Sequence, residues 1–426
     1  MALKVLWAFA AQYDLEVEQM DAITAFTQGE VSEEIYVEQP TGFEAGGGPK
    51  VYRLKRALYG LKQSAQLWQE KLSRVLQSLG YTPTSADHCI YRNAETGIVI
   101  ATYVDDFLIF GPSKDQIDEL KAKLHEVLRV EDLGLCQQFL GVKVIRDRQA
   151  RTVHLVQDQY IERVLKAFQM ENSKPIATPI AARLVPLLVK STLQASIADI
   201  KEFQSALGSL MYTMTQTRPD LGYPVSKLAR YSHNPGEIHW KAIRHVFKYL
   251  SGTRNLGITY RHTESDRLDF HGYSDSDHGS CLDTRQSTSG YVFFIVGGPV
   301  SWKSARQHSI TLSSTESEYY ALTNAAKEAS WLRLLLSDLG YSQSDIIPTL
   351  LYGDNIPSLQ LAENPEHHQR SKHIDIQWHF IRNEVRDKKV TLSHVGTELM
   401  AADGLTKILG TVKHRRFIEL LGMESF

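Results

Sequence analysis

The stretch Ile98–Val99–Ile100–Ala101–Thr102–Tyr103–Val104–Asp105–Asp106–Phe107–Leu108–Ile109–Phe110 sets two adjacent carboxylates between runs of β-branched and aromatic residues, and Gly111–Pro112 stops it. Such runs predict strand on both sides of Asp105–Asp106. A two-residue hairpin turn is one reading of the acidic pair, although these turns favour Gly or Asn for their positive φ. Adjacent carboxylates also repel each other and are costly to desolvate. A divalent cation removes that objection, because Mg2+ is held by one or two carboxylates together with substrate phosphates. Leu15 to Asp21 alternates apolar and polar residues and predicts a second strand ending in an acid. If the strands are neighbours, Asp21, Asp105 and Asp106 could hold two ions for in-line displacement at phosphorus. One ion would activate an attacking 3′-hydroxyl and the other would neutralise a leaving pyrophosphate.

The rest of the chain sets limits on this reading. Its 426 residues suffice for about two to four domains. At 42% hydrophobic and 23% charged, it is neither collagen-like, disordered nor low-complexity. Lys and Arg total 47 against 49 Asp and Glu, so no whole-chain basic field attracts nucleic acid. Such a partner must be held by local patches or by acid-bound cations. Cys89, Cys136 and Cys281 form no CxxC pair, which fits a reducing compartment without a disulfide framework. No apolar run approaches the ~20 residues that span a bilayer. Lys4 before Val5–Ala11 predicts an amphipathic helix rather than a signal peptide.

Periodicity predicts helices over Leu67–Leu79, closed by Gly80, and over Ile117–Val130. Gly46–Gly47–Gly48–Pro49 reads as a loop and Asn172–Pro186 as an irregular connector. Ile200–Leu250 is helical with breaks at Arg218–Pro219 and Asn234–Pro235, and Leu268–Ile295 is strand-rich. A long helix runs over Thr315–Leu339 to Gly340. It is followed by a strand at Thr349–Tyr352, a helix at His373–Val385, a strand at Val390–His394 and a final helix at Leu399–Leu409.

A second set of acids lies in this last block: Asp275 on a strand, Glu318 opening the long helix, Asp354 after a strand, and Asp403 on the final helix. Four acids at strand ends and helix starts suit a two-metal nuclease, whose ions contact a scissile phosphate and a water nucleophile. Each also has a purely structural reading. Thr315 with Glu318 makes a capping box, Asp403 suits the first turn of a helix, and Asp354 suits a turn. His367, His368, His373 and His379 match no common zinc ligand set and read as surface and capping residues. Basic stretches at Lys50–Lys71, Arg370–Lys389 and Lys413–Arg416 could track phosphate backbones or be solvated helix faces.

Several runs carry a family likeness: Gln19–Met20–Asp21–Ala22–Ile23–Thr24–Ala25–Phe26, Gln39–Pro40–Thr41–Gly42–Phe43, Ala57–Leu58–Tyr59–Gly60–Leu61–Lys62–Gln63, Tyr103–Val104–Asp105–Asp106, Phe139–Leu140–Gly141 and Thr217–Arg218–Pro219–Asp220. With them the sequence resembles the reverse transcriptases of Ty/copia-type retrotransposons. Beyond them, Arg285–Tyr291, Ser301–Ser304, Lys372–Asp375 and Ala402–Lys407 are similar to the ribonuclease H region that follows the polymerase in those elements. The resemblance implies an α/β and α+β multidomain chain. A reverse transcriptase palm, an antiparallel sheet with helices, would occupy 1–145 and a thumb/connection region 146–262. An RNase H-like mixed β-sheet with flanking helices would occupy 263–426.

By the same resemblance Asp21, Asp105 and Asp106 bind the polymerase metals, and Asp275, Glu318, Asp354 and Asp403 bind those of the nuclease. Two Mg2+ ions per active site are implied, with Mn2+ as a possible substitute. Phe26 would lie under the incoming sugar, and Gly60, Lys62, Gln63 and Tyr103 would line the nucleotide and template side. Phe26 as a core aromatic and Lys62 as a solvated lysine are the plain alternatives. Glu316 is the less favoured of the two helix glutamates.

The implied partners are an RNA–DNA hybrid, an RNA template with a DNA primer, and other polyprotein products. The implied location is an intracellular particle in the cytoplasm, or the nucleus. Only about twenty residues precede Asp21, whereas the family places a fingers subdomain with triphosphate-gripping basic residues there. Ala65, Gln66 and Thr27 replace the family's usual Pro, Arg and Leu, and His278 its usual Trp. The expectation is therefore a chain that hydrolyses hybrid RNA more readily than it synthesises DNA. The alternative is a decayed or domesticated remnant that binds nucleic acid without catalysis.

Overall fold

The computed structural model describes residues 1–44, 50–264, 268–341, 347–363 and 379–426. The Gly46–Pro49 loop, His367, His368, His373 and Lys372–Asp375 lie outside the described residues. The chain divides into two compact units, one of residues 15–136 with 338–340, the other of residues 1–14, 137–337 and 341–426.

The smaller unit carries strands β1 (Glu16–Ala22), β2 (Tyr36–Glu38), β3 (Val51–Arg53), β4 (Thr82–Pro83), β5 (Ile90–Arg92), β6 (Val99–Tyr103), β7 (Asp106–Gly111) and β8 (Val130–Leu135). Helices α2 (Ser64–Ser78) and α3 (Lys114–Val127) belong to the same unit. Six of the strands form a sheet in the order β4-β5-β6-β7-β1-β8, antiparallel at each pairing. Trp68, Leu72 and Leu76 recur every four residues along α2, and Ile117, Leu120 and Leu124 line α3. These stripes pack on Met20, Ile100, Phe107 and Ile109 of the sheet. The strand expected from Leu15 and the hairpin about Asp105 form next to each other.

The larger unit begins with α1 (Ala2–Tyr13). The helix at Lys4–Ala11 forms, but it is not amphipathic: Lys4 to Gln12 are all buried. The Lys4 ammonium donates to the Thr215 carbonyl at 2.8 Å and lies 4.5 Å from the Trp302 ring centre, so the charge is satisfied without a polar face. Strands β9 (Gln138–Phe139), β10 (Val142–Asp147), β11 (Thr152–Val156), β12 (Leu256–Arg261) and the last strand, β18 (Met423–Ser425), make one five-stranded sheet in the order β18-β12-β11-β10-β9. Helices α4 (Asp158–Ala167), α5 (Ile197–Gln216), α6 (Gly222–Ala229) and α7 (Glu237–Gly252) pack around Phe203, Leu210, Val225, Ile243 and Phe247. They break at Arg218–Pro219 and Asn234–Pro235, as expected.

A second five-stranded sheet joins β13 (Phe270–Ser276), β14 (Thr288–Ile295), β15 (Gly298–Arg306), β16 (Thr349–Gly353) and β17 (Val390–His394) in the order β15-β14-β13-β16-β17. β13 pairs antiparallel with β14, and parallel with β16, which in turn pairs parallel with β17. Helices α8 (Ser314–Asp338), α9 (Ile356–Glu363), α10 (His379–Arg386) and α11 (Thr411–Leu420) complete the unit. The expected final helix over Leu399–Leu409 does not form. Two short 3-10 turns, Thr397–Leu399 and Asp403–Leu405, take its place, and α11 starts only after Gly410. Met400, Ala401 and Ala402 are buried between the two turns. A Cβ on Gly404 would sit 2.4 Å from the Phe417 ring, so the chain is pressed flat there. Among the described residues no helix is long and apolar enough to cross a membrane.

Arg218 and Asp220 are fully buried where α5 gives way to α6. Both guanidinium edges are used: Nε and Nη2 donate to the two Asp220 oxygens at 2.9 and 2.7 Å, and Nη1 to the Thr253 carbonyl at 2.8 Å. The Tyr249 hydroxyl donates to Asp220 at 2.7 Å and lies 3.0 Å from His414 Nε2. Asp220→Ala should leave the guanidinium buried and unpaired at a cost of about 3–5 kcal/mol, read as a lowered urea midpoint. A loss below about 1 kcal/mol would mean the pair behaves like a solvated one.

Candidate metal centre

Two acid clusters form, one in each unit. In the smaller unit, β1 and β7 pair so that Asp21 stands directly opposite Asp106, which puts both side chains on one face. Val104 and Asp105 make the two-residue turn between β6 and β7, and Val104 takes φ 58°. A β-branched residue in the left-handed region is strained. The turn is held by the Trp68 indole, which donates to the Val104 carbonyl at 2.6 Å, and by the Ala22 amide, which donates to the Asp105 carbonyl at 2.7 Å. Burial raises the Asp21 proton affinity, with Asp105 and Glu131 adding to it. Burial likewise raises that of Asp106, against a 3.2 Å hydrogen bond from the Gln19 amide and with Asp105 and Asp21 adding.

Glu131 had no role in the sequence reading, because Val130–Leu135 was not read as a strand; on β8 it pairs with Asp21 from the other side. Phe26 is half-buried in the 3-10 turn Ala25–Gln28, its ring 4.8 Å from that of exposed Tyr59. Gly60 takes φ 99° in the loop that leads to Lys62, which is exposed, and to Gln63 at the start of α2. Tyr103 is exposed beside the turn.

The tighter cluster lies in the larger unit. Oxygens of Asp275, Glu318 and Asp354 all fall within 4.8 Å of one another. Parallel register brings the first and third together: Tyr273 pairs with Tyr352, so Asp275 and Asp354 stand at the same level two residues on. Glu318 arrives from the first turns of α8. The Ser313 hydroxyl accepts from the Glu316 amide at 3.1 Å, and the Glu316 carboxylate accepts from the Leu312 amide at 2.7 Å. The cap is thus Ser313 with Glu316, not Thr315 with Glu318, and Glu318 turns inward to 7% exposure. Asp403 is buried nearby, but not on a helix as expected. It opens the 3-10 turn Asp403–Leu405, and its carboxylate is ion-paired with Lys407. The Thr406 hydroxyl donates to Asp275. That approach requires a glycine at position 290, opposite Asp275, where a Cβ would meet Leu405 Cβ at 2.7 Å and Thr406 Cγ2 at 2.9 Å.

Burial, reinforced by Asp354 and Asp403, pushes the Asp275 carboxyl up to about 7 against the pull of Lys407 and Thr406. Burial, then Asp275 and Asp354, pushes Glu318 up to about 10. Burial raises Asp403 too, while Lys407 draws it back. Burial works against the Lys407 ammonium, but Asp275, Asp403 and Asp354 outweigh it and raise its pKa. Crowded hard oxygen donors of this kind could hold Mg2+ or Mn2+. His394, which the sequence reading passed over, closes β17 opposite Gly353, one residue from Asp354, with an exposed side chain. The signal was there in outline: β17 ends in a titratable residue beside a strand followed by an acid.

A family model described as reverse transcriptase (RNA-dependent DNA polymerase) matches residues 1–182. The Pol polyprotein from transposon TNT 1-94 of Nicotiana tabacum is 40% identical over 100% of this chain, which covers 32% of that protein. The Pol polyprotein from transposon RE2 of Arabidopsis thaliana is 35% identical over 99% of this chain and 28% of its own length. A transposon Ty5-1 protein of Saccharomyces cerevisiae is 34% identical over 72% of this chain and 100% of its own length. The match therefore defines a retrotransposon Pol sequence that includes a reverse transcriptase domain. The chain belongs to the Ty/copia-type Pol family, and it spans a third or less of the plant polyproteins it matches.

Carboxyls whose pKa is raised by folding stabilise the native state below their unfolded values, near 4, and that contribution is lost as pH rises through the folded values. With chelator present, stability should therefore fall between about pH 5 and pH 9 by on the order of 2 kcal/mol, followed by thermal unfolding. Glu318→Gln should flatten the decline. A wild-type profile flat across that range would count against a buried, charge-crowded cluster.

Proposed function

We propose that this chain acts on RNA–DNA hybrids within a copia-type Pol product, hydrolysing the RNA strand at the Asp275–Glu318–Asp354 cluster. The observation that carries the reading is the convergence of those three carboxylates within 4.8 Å. Magnesium, or manganese in its place, would supply there a Lewis acid for the scissile phosphodiester and a water of lowered pKa.

The chain's own part is positioning. Thr406 fixes one oxygen of Asp275, and the Ser313–Glu316 cap frees Glu318 to face the site. Because Asp275 and Glu318 hold protons tightly, metal competes with protons and activity rises with pH. The exposed imidazole of His394, at the rim beside Asp354, is suited to deliver a proton to the leaving oxygen.

The smaller unit would serve RNA-templated DNA synthesis. Asp21, Asp105 and Asp106 would be the metal-holding acids, Phe26 the wall under the incoming sugar, and Gly60, Lys62, Gln63 and Tyr103 the nucleotide and template side. The partners are then hybrid, RNA template with DNA primer, and other polyprotein products. In this family-based arrangement 1–145 is the palm, 146–262 the thumb and connection, and 263–426 the RNase H-like domain. Our preference for hydrolysis rests on geometry alone: among the described residues Asp275, Glu318 and Asp354 form a three-carboxylate group within 4.8 Å, a spacing not found for Asp21, Asp105 and Asp106.

Hybrid hydrolysis and primer extension, run side by side on one preparation with Mg2+ and Mn2+, test this. Asp275→Asn and Glu318→Gln should each lower hydrolysis by about 100-fold or more, and Asp105→Asn should remove any nucleotide incorporation. Hybrid left intact by the wild-type protein across both metal titrations would favour the non-catalytic remnant.

A further inference from the structure

The basic stretch Lys413–Arg416 borders a cavity. This hollow of about 400 Å3 lies between α11 and the 3-10 turn Thr397–Leu399, and Asp403 forms part of its wall. Its volume falls in the range of small-ligand sites, and buried Met400, Leu409 and Phe417 give it an apolar lining. The helical wall is fixed from behind. His414 and Phe417 are buried, His414 Nε2 lies 3.0 Å from the Tyr249 hydroxyl, and the Phe417 ring packs on Gly404. A preformed wall spends no binding energy on being ordered. The charges at the opening are divided. Arg416 is paired with Glu419 at 3.1 Å and Asp403 with Lys407. That leaves exposed Lys413 and Arg415 on the helix, and exposed Glu398 on the facing turn, without an ion pair among the described residues. Two cations suit a phosphate, whereas a carboxylate repels one and accepts from a hydroxyl. Within a nucleic-acid strand the 3′ and 5′ oxygens are esterified, so the 2′-hydroxyl of a ribose is the one sugar donor left, and DNA lacks it. The apolar lining suits the ring of a base.

We propose that this cavity is a ribonucleotide subsite. It takes one nucleotide of the RNA strand that crosses the acid cluster, with a phosphate on Lys413 and Arg415 and the 2′-hydroxyl donating to Glu398. The inference rests on the proposed hydrolytic reading and adds to it a place, set apart from the metal-holding acids, where RNA is told from DNA.

The test uses the full chain and RNA–DNA hybrids in which a single 2′-deoxynucleotide is moved along the RNA strand. Hydrolysis gives KM and kcat, and fluorescence anisotropy gives hybrid affinity in an Asp275→Asn background that prevents turnover. One deoxy position away from the cleaved bond should raise KM by about 10-fold with kcat little changed. Glu398→Ala should raise KM for the all-ribose strand by a similar factor and abolish the effect of that one deoxy position, whatever it does elsewhere. Lys413→Ala with Arg415→Ala should weaken binding at every sequence and lower the slope of log affinity against log salt by about 1 to 2. Lys413→Arg with Arg415→Lys should keep the wild-type slope. All three side chains are exposed, so the fold does not depend on them. A deoxy scan that Glu398→Ala leaves unaltered, or a salt slope that the double alanine variant leaves unaltered, overturns the inference while hydrolysis by the wild type stands. Both binding signatures on a hybrid that the wild type leaves uncut support the subsite and overturn the hydrolytic reading.

Discussion

Buried like charge is the constraint on which the larger unit turns. Asp275 lies on β13, the middle strand of its sheet, Glu318 is the fifth residue of α8, and Asp354 lies just past β16. These positions, up to 79 residues apart along the chain, put carboxylate oxygens within 4.8 Å of one another. Desolvation and mutual repulsion both oppose ionisation, which is why Asp275 and Glu318 hold protons far above the usual carboxylate range. Nothing in local propensity favours such a cluster. It exists because the parallel pairing of β13 and β16 levels two strand ends, because a helix begins against them, and because Thr406 and Lys407 reach in from a glycine-cleared turn.

The smaller unit meets a related constraint by antiparallel means. There Asp21 and Asp106 are cross-strand partners and Asp105 sits in the turn. The hairpin needs a positive φ, and the residue that supplies it is Val104, not the Gly or Asn that such turns favour. The strain, of order 1–3 kcal/mol for a residue of this kind, is offset by a buried indole donating to the Val104 carbonyl and an amide of β1 donating to that of Asp105. The turn is therefore fixed by helix and sheet together, and the two acids that follow Val104 inherit that rigidity.

How far the sequence disclosed this differs from element to element. The strands about Asp105 and before Asp21, the stripe Trp68–Leu72–Leu76 and the breaks at Arg218–Pro219 and Asn234–Pro235 were legible, because period and punctuation are local. The helix at Lys4–Ala11 was legible as a helix but not as a buried one, since its satisfaction depends on Thr215 and Trp302 far along the chain. The sheet containing β9 to β12 was missed. Its strands are short, and its last member, β18, comes from the C-terminal residues, so no window contains it. Leu399–Leu409 failed for the opposite reason: its apolar and alanine-rich composition favours helix, but the chain there is held by a contact distant in sequence, Gly404 against the Phe417 ring. The acids themselves were legible as residues, whereas which of them converge was not. Register across β13 and β16 decides that, and register is a property of pairs of strands.

The start of α8 shows how narrow that margin is. Ser313–Ser314–Thr315–Glu316–Ser317–Glu318 offers two capping boxes two residues apart, Ser313 with Glu316 and Thr315 with Glu318. Either would satisfy amides at the helix start, so capping alone does not choose between them. In the second register Glu318 would be tied to the helix end and Glu316 would be left over. The first uses Glu316 on the Leu312 amide and leaves Glu318 free to be buried against Asp275 and Asp354. A frame shift of two residues would rotate the side chains about 200° around the helix axis and turn Glu318 away from the strand ends. The choice is made by the apolar residues that follow: Leu322, Ala325, Ala329, Leu332 and Leu336 must all face the core, and they fix the rotation of the helix before its first turn is closed. The position of a charged group in the cluster is thus set by uncharged residues several turns away, and the cap accommodates the result.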